Sequence, residues 1–328
     1  MDELGVEGLL PGLAEMERAA RLVYGWMTAT PQYTWPQVNA RAGAEVWVKH
    51  ENHTPVGAFK VRGGLVYMDW LRRERPEVGT VVSATRGNHG QSVAYAAARF
   101  GQRAVVVVPR GNSVEKNAAM RALGAELVEF GEDFQAASEH AVALAEEHGW
   151  HRIPSFDLRL VCGVATYALE FFRGAPEMER VYVPIGIGSG VCGMIAARDA
   201  LGLGTKIVGV VSSGAPAMAR SFAVGEVVEV EARTRIADGV ACRLPDATAL
   251  GIVREGVERV MEVSDDEVEE AMRLLFAATH NATEGAGAIG LAALLKDERR
   301  GAGRVGTVLC GGNVDSDVFG RVLLGEGS

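Results

Sequence analysis

Short runs of β-branched and apolar residues alternate with longer stretches of helical period along the chain, and this alternation restricts the fold more than any other feature. It is the pattern of an α/β protein with mostly parallel sheets, because each parallel crossover needs a connection long enough to hold a helix. Strands are expected over 46–49, 80–84, 104–108, 126–129, 181–185, 207–211 and 305–309. Most are apolar throughout, as befits strands covered by helices on both faces. Helices are expected over 90–100, 114–123, 134–148, 164–172, 191–200, 265–279 and 286–296. Ser264 followed by Asp265, Asp266 and Glu267 reads as a capped helix start, with carboxylates where the helix dipole favours them. The region 79–151 holds several βα units and is expected to form a small domain. The segments 1–78 and 152–328 then make a larger domain around it. The stretch 221–249 has weak periodicity and reads as a crossing connection.

The chain has 328 residues, enough for two modest domains. Its net charge of −9 argues against nucleic-acid or anionic-membrane partners, which need positive surface. Cys162, Cys192, Cys242 and Cys310 lack the paired spacing of zinc or thioredoxin-like sites and read as reduced, mostly buried thiols. No run approaches the length of a membrane helix, and the acidic N-terminus does not resemble a signal peptide. A cytoplasmic protein is expected. The sequence ends soon after residue 313, so no appended regulatory domain is expected either.

Four strings carry chemistry. Lys60, in HTPVGAFKVRGG, stands on apolar ground, where desolvation lowers the pKa of an amine and frees it for Schiff-base chemistry. An ordinary solvated lysine at a helix start reads the same way. In SATRGNHGQS, residues Gly87, Asn88, His89 and Gly90 follow an expected strand and open a helix, where backbone N–H groups can hold a carboxylate. Simple helix capping by Asn and Gly is the alternative. In PIGIGSGVCG, glycines let the backbone approach a phosphate and Ser189 adds a hydroxyl. A dinucleotide site is disfavoured, since Ser212 and Ser213 end the next strand where an acidic residue is expected. In LCGGNVD, Cys310 ends the last strand, where ligands gather in open α/β sheets, although a buried Cys also packs as a small hydrophobe. Taken in order, the strings supply a lysine for an aldehyde, an asparagine for a ring hydroxyl, a loop for a phosphate and a thiol for a ring nitrogen.

This ordered set resembles the tryptophan-synthase-β group, fold type II, of pyridoxal-phosphate enzymes, and most closely the threonine and serine dehydratases and serine racemase. The likeness runs from Thr30-Pro31 to the CGGN string and includes Ile236-Ala237-Asp238-Gly239-Val240, the run KNAAMRALGAE from Lys116, and Glu284. It implies two α/β domains and pyridoxal 5'-phosphate bound covalently to Lys60, with Phe59 beside the ring. It further implies that Asn88 bonds the 3-hydroxyl, that Gly186, Ile187, Gly188, Ser189 and Gly190 cradle the phosphate, and that Cys310 faces the ring nitrogen. Gly239 approaches through its backbone and Glu284 sits near the ring edge. The substrate carboxylate rests on Thr85, Arg86, Gly87, Asn88 and His89. A homodimer or higher homo-oligomer is implied by the resemblance alone.

The expected reaction is β-elimination from an L-3-hydroxy amino acid, giving a 2-oxo acid and ammonia. A weakly acidic thiol does not force a proton onto the ring nitrogen, which favours expulsion of the β-hydroxyl. The alternatives are a 3-hydroxyaspartate or phenylserine dehydratase, a β-replacement synthase, a serine racemase, and a binding protein that has kept the fold without catalysis. Ala58 replaces the common serine before the Phe-Lys pair. Arg86 stands where serine racemase has its second-face serine, and arginine is a poor proton donor. It forks onto a second substrate carboxylate or faces solvent or a neighbouring Asp. The positions matching the metal ligands of metal-dependent relatives are Ser213, Ala217 and Ala219, so no metal is expected there.

Overall fold

The computed structural model describes residues 9–326; the acidic N-terminal residues, and with them the start of the segment 1–78, lie outside this range. In chain order the elements begin with α1 (Leu13–Tyr24), β1 (Gln32–Thr34), α2 (Pro36–Ala42), β2 (Glu45–His50) and α3 (Lys60–Glu74). Next come β3 (Thr80–Ala84), α4 (Asn88–Phe100), β4 (Arg103–Val108), α5 (Val114–Ala122), β5 (Glu126–Glu129), α6 (Phe134–His148) and β6 (His151–Arg152). Then follow α7 (Leu158–Gly174), β7 (Arg180–Pro184), α8 (Ser189–Ala200), β8 (Lys206–Ser212), α9 (Ala217–Val224), α10 (Ala247–Gly256) and β9 (Arg259–Val263). The chain closes with α11 (Asp265–Thr279), α12 (Gly285–Lys296), β10 (Arg304–Leu309) and α13 (Ser316–Leu324).

Two sheets result. The larger has the order β1-β2-β10-β7-β8-β9 and is parallel except for the β1–β2 pair. The smaller, β5-β4-β3-β6, is wholly parallel. The fold is therefore α/β with helix-flanked parallel sheets. Inner strands such as β4 and β10 are buried almost end to end, as the continuous apolar runs require. Helices α6 and α11 fall on their expected spans, and α11 carries its capping box: Ser264 Oγ accepts from the Glu267 N–H at 3.2 Å, while Glu267 Oε2 accepts from the Ser264 N–H at 2.7 Å.

The differences have physical causes. The expected helix at 164–172 extends back to Leu158, where Asp157 caps it by accepting from the Arg159 N–H at 2.7 Å. The stretch 221–249 is only partly irregular, since α9 runs into it and α10 begins within it. The edge strands β1 and β9 and the two-residue β6 are too short or too polar to show a strand pattern.

Helix α3 shows how the lysine is held. It carries Gly63 and Gly64 in its first turns, and glycine costs a helix about 1 kcal/mol relative to alanine. Tertiary contact accounts for them. A Cβ on Gly163 of α7 would meet the Arg62 carbonyl oxygen and lie 2.7 Å from Gly63 Cα, while a Cβ on Gly64 would meet the Ser92 hydroxyl. Ser92 of α4 donates to the Lys60 carbonyl at 2.6 Å. The lysine-bearing helix is thus clamped backbone-to-backbone between the helices of the two sheets. Gly163→Ala is expected to destabilise by about 1–3 kcal/mol, because backbone rather than a flexible side chain must give way. A lower urea midpoint at unchanged m is the measurement.

Candidate functional site

The C-terminal ends of parallel strands converge on one pocket. The chain leaves β10 at Cys310, β7 at the 186–190 loop, and β2 through residues 51–59 to Lys60, while β3 of the smaller sheet leads to Asn88. The pocket is lined by Phe59, Lys60, Asn88, Gly186, Ile187, Gly188, Ser189, Gly190, Gly239, Glu284 and Cys310. Ligands collect at this end of open α/β sheets because strand ends and helix N-termini meet there. Four residues of the 85–89 loop do not lie on this wall: Thr85, Arg86, Gly87 and His89. Pro184 and Val240, from two of the quoted strings, complete the lining together with Tyr167, Val183 and Ala286, which no motif marked.

Lys60 sits at the first position of α3 with Nζ 5.4 Å from the centre of the Phe59 ring. Among the described residues its amine has no hydrogen-bond or ion-pair partner. Burial lowers its pKa, against weaker opposition from Cys310, Glu284 and Cys242, so the neutral amine is favoured. Phe59 is held edge-on by Tyr167, ring centres 5.9 Å apart, and the Tyr167 hydroxyl donates to the Gly190 carbonyl at 3.1 Å.

The N-terminus of α8 lines the same pocket, and its first N–H groups have no intrahelical acceptor. Gly188 at φ +126° can only be glycine without strain, and a Cβ there would lie 2.8 Å from Ala249 Cβ. A Cβ on Gly186 would lie 3.1 Å from the Gly239 carbonyl oxygen, so these two backbones touch along the pocket floor. Ser189 is buried at the helix start. A loop of this kind is built for a phosphate.

Cys310 is buried, its sulfur 3.2 Å from the Ala286 carbonyl, and burial pushes its thiol far above the ordinary range. It is therefore a neutral group. Asn88 Nδ2 donates to Glu284 Oε1 at 2.5 Å and Asn88 Oδ1 accepts from Asn313 Nδ2 at 2.8 Å, leaving one amide hydrogen for a ligand. Burial raises the Glu284 carboxyl to about 7, opposed chiefly by Lys116, and its Oε2 is buried without a hydrogen-bond partner.

In the adjoining loop, Thr85 Oγ1 accepts from the N–H groups of Gly87 at 3.0 Å and Gly90 at 3.4 Å. Those donors are engaged, while the N–H groups of Asn88 and His89 in the first turn of α4 have no acceptor among the described residues. His89 is buried with Nε2 unpaired, and burial drives its pKa down to about 3, so it stays neutral. Arg86 is exposed, without an ion-pair or hydrogen-bond partner among the described residues. Ser213, Ala217 and Ala219 bring no carboxylate together. Among the described residues there is no His, Cys, Asp and Glu cluster suited to a metal, and no helix long and apolar enough to cross a membrane.

A ring carrying a phosphate at one end and an aldehyde near the other fits these walls. The glycine turn offers N–H donors, the neutral amine stands free to bond the carbonyl, and a neutral thiol lies on the remaining side. Parallel α/β architecture with that donor set defines a pyridoxal-phosphate enzyme of fold type II. The chain belongs to the family described as pyridoxal-phosphate dependent enzymes, whose model matches residues 24–311.

The chain is 36% identical over 319 residues to a phenylserine dehydratase of Ralstonia pickettii, covering 96% of this chain and 97% of that one. It is 30% identical over 320 residues to an L-threo-3-hydroxyaspartate ammonia-lyase of Saccharomyces cerevisiae, covering 97% and 98%. The solved processed form of threonine deaminase isoform 2 from Solanum lycopersicum superposes with a TM-score of 0.87 at 27% identity, covering 96% of this chain and 94% of that chain.

Proposed function

We propose that the protein is an ammonia-lyase that eliminates the β-hydroxyl of an L-3-hydroxy amino acid, threonine or serine foremost, and releases a 2-oxo acid and ammonia. Cys310 carries this reading: a buried, neutral thiol where a carboxylate would hold the ring nitrogen protonated. The named relatives that catalyse such eliminations support it. When bound, the cofactor supplies an electron sink for the substrate's Cα. The protein does the rest. The 186–190 loop and the N-terminus of α8 hold the phosphate, Phe59 packs beside the ring, Asn88 donates to the ring hydroxyl, and Gly239 and Glu284 line its edge. The N–H groups of Asn88 and His89 orient the substrate carboxylate. Lys60 Nζ, whose pKa burial lowers, takes the Cα proton.

The same reading places the enzyme in the cytoplasm as a homo-oligomer without a metal requirement at the 213–219 turn. Its two units are 1–78 with 152–328, and 79–151. The free state of all four cysteines and the family resemblance support these assignments.

A second reading rests on Arg86. An unpaired, exposed guanidinium two residues before Asn88 suits a substrate with a second carboxylate, such as 3-hydroxyaspartate. The test is 2-oxo acid release from L-threonine, L-serine, 3-phenylserine and the 3-hydroxyaspartate isomers, with and without added thiol. Threonine or serine should give 2-oxo acid, and thiol should not divert serine to a replacement product. If Arg86 recognises a carboxylate, Arg86→Ala lowers kcat/KM for hydroxyaspartate about 10-fold or more while sparing threonine. Equal loss on both substrates refutes that role.

A further inference from the structure

A buried cation lies beside the pocket without lining it. Lys116 of α5 is 7% exposed, and its stem runs beneath the 85–89 loop, where a Cβ on Gly87 would lie 2.6 Å from Lys116 Cδ. Its Nζ donates to Asp238 Oδ2 at 2.6 Å and stands 3.7 Å from Glu284 Oε2. The other Glu284 oxygen accepts from Asn88 Nδ2, and Asn88 Oδ1 is fixed by Asn313, which also donates to the Val56 carbonyl at 2.8 Å. The start of α5 is anchored as well. Ser113 accepts from the Lys116 N–H at 3.0 Å and its hydroxyl bonds Asp315, while Glu115 accepts from the Ser316 N–H at 2.9 Å. One end of this chain of contacts belongs to the smaller sheet's helices, and the other to loops of the larger sheet.

We infer that Lys116 is a positioning residue for the ring-hydroxyl site: by balancing the charge of Glu284 it fixes which way the Asn88 amide faces. A carboxylate as buried as Glu284 keeps its charge only with a cation nearby. As a carboxylate it can only accept, so Asn88 must turn its NH₂ toward it and its carbonyl toward Asn313, and the second amide hydrogen is left for the ligand. With Lys116 in place the carboxyl stands at about 7; without it the carboxyl is driven further up and holds its proton at neutral pH. It then becomes a donor, and the amide loses the constraint that aims that hydrogen. Asp238, partly exposed, can satisfy Lys116 but cannot substitute for it at Glu284.

This inference rests on the cofactor assignment above, and its test separates the two. Lys116→Met should weaken pyridoxal-phosphate binding about 10-fold and shift the visible band of the bound cofactor, the loss being that of one hydrogen bond to a charged group. Lys116→Arg, which keeps the charge, should restore most of both. In a Glu284→Gln background, where no charge needs balancing, Lys116→Met should change affinity about 2-fold at most. Thermal unfolding of the cofactor-free chain is the independent arm: Lys116→Met lowers Tm, or fails to fold, and adding Glu284→Gln recovers part of the loss. Equal losses in both backgrounds, or no recovery in the double variant, overturn the inference. Wild-type protein that takes up no pyridoxal phosphate instead overturns the cofactor assignment.

Discussion

Lys60→Met should abolish 2-oxo acid production, a loss of about 10³-fold or more, yet leave a cofactor-free protein that melts at a higher temperature than the wild type. The two effects share one cause. The amine stands in a pocket where burial disfavours its charge and no carboxylate pairs with it. Lys60 has a folded-state pKa below the unfolded value of about 10.4. Above the unfolded value the amine is neutral in both states and costs nothing. As pH falls below the unfolded value the penalty appears and grows, and it is complete once pH is below the folded-state pKa. The stabilising effect of Met should therefore be largest at neutral and acid pH and fade toward strongly alkaline pH. Calorimetry of both cofactor-free proteins across that range measures it. Borohydride reduction of the holoenzyme followed by peptide mapping should mark the peptide bearing Lys60. A label elsewhere, or a Met variant that keeps activity, would falsify the assignment.

The loops that carry chemistry were legible because each needs a residue type that few others can replace. Gly188 must hold φ +126°, an aldehyde-binding group must be an amine, and Cys310 stands at a strand end. The sheets were legible for a related reason. Buried parallel strands seldom carry charge away from their ends, so β3, β4, β7, β8 and β10 announce themselves as largely apolar runs. Helix α3 did not, because its two glycines contradict helix propensity, its buried Arg62 interrupts the apolar face, and both are explained only by partners distant in sequence. Lys116, Asp238 and Asn313 lay within strings quoted for their resemblance, but nothing local says that they meet. Tyr167 sat on an expected helix with nothing to mark the face turned toward Phe59.

Replacing Arg62 with Met should cost about 3–5 kcal/mol of stability, the range found when one partner of a buried ionic cluster is removed. Arg62 has no exposed surface. Its guanidinium reaches Glu51 at 2.8 and 3.0 Å and Glu170 at 2.6 and 3.0 Å, and Lys49 meets Glu170 at 2.6 Å. Two cations balance two carboxylates, with hydroxyls of Thr30, Thr166 and Tyr24 filling the remaining positions. Removing the guanidinium leaves two buried carboxylates and one ammonium. The pH dependence identifies the cause. In the wild type Arg62 and Lys49 hold the Glu170 carboxyl below its ordinary range despite burial, so that stabilisation is present above the unfolded carboxylate pKa and lost as pH falls through the folded one. In the variant the unpaired carboxyls shift upward, a penalty absent below the unfolded value of about 4.3 and growing as pH rises. Both trends narrow the gap between the proteins on acidification, and urea unfolding at a series of pH values measures it. A gap independent of pH would mean that lost packing, not uncompensated charge, explains the cost. Arg62→Lys should recover little, since an ammonium cannot fork onto two carboxylates at once. Because Arg62 lies half a turn from Lys60 on the same helix, a variant that still folds should also show weaker cofactor uptake, which ties the buried cluster to the placement of the reactive amine.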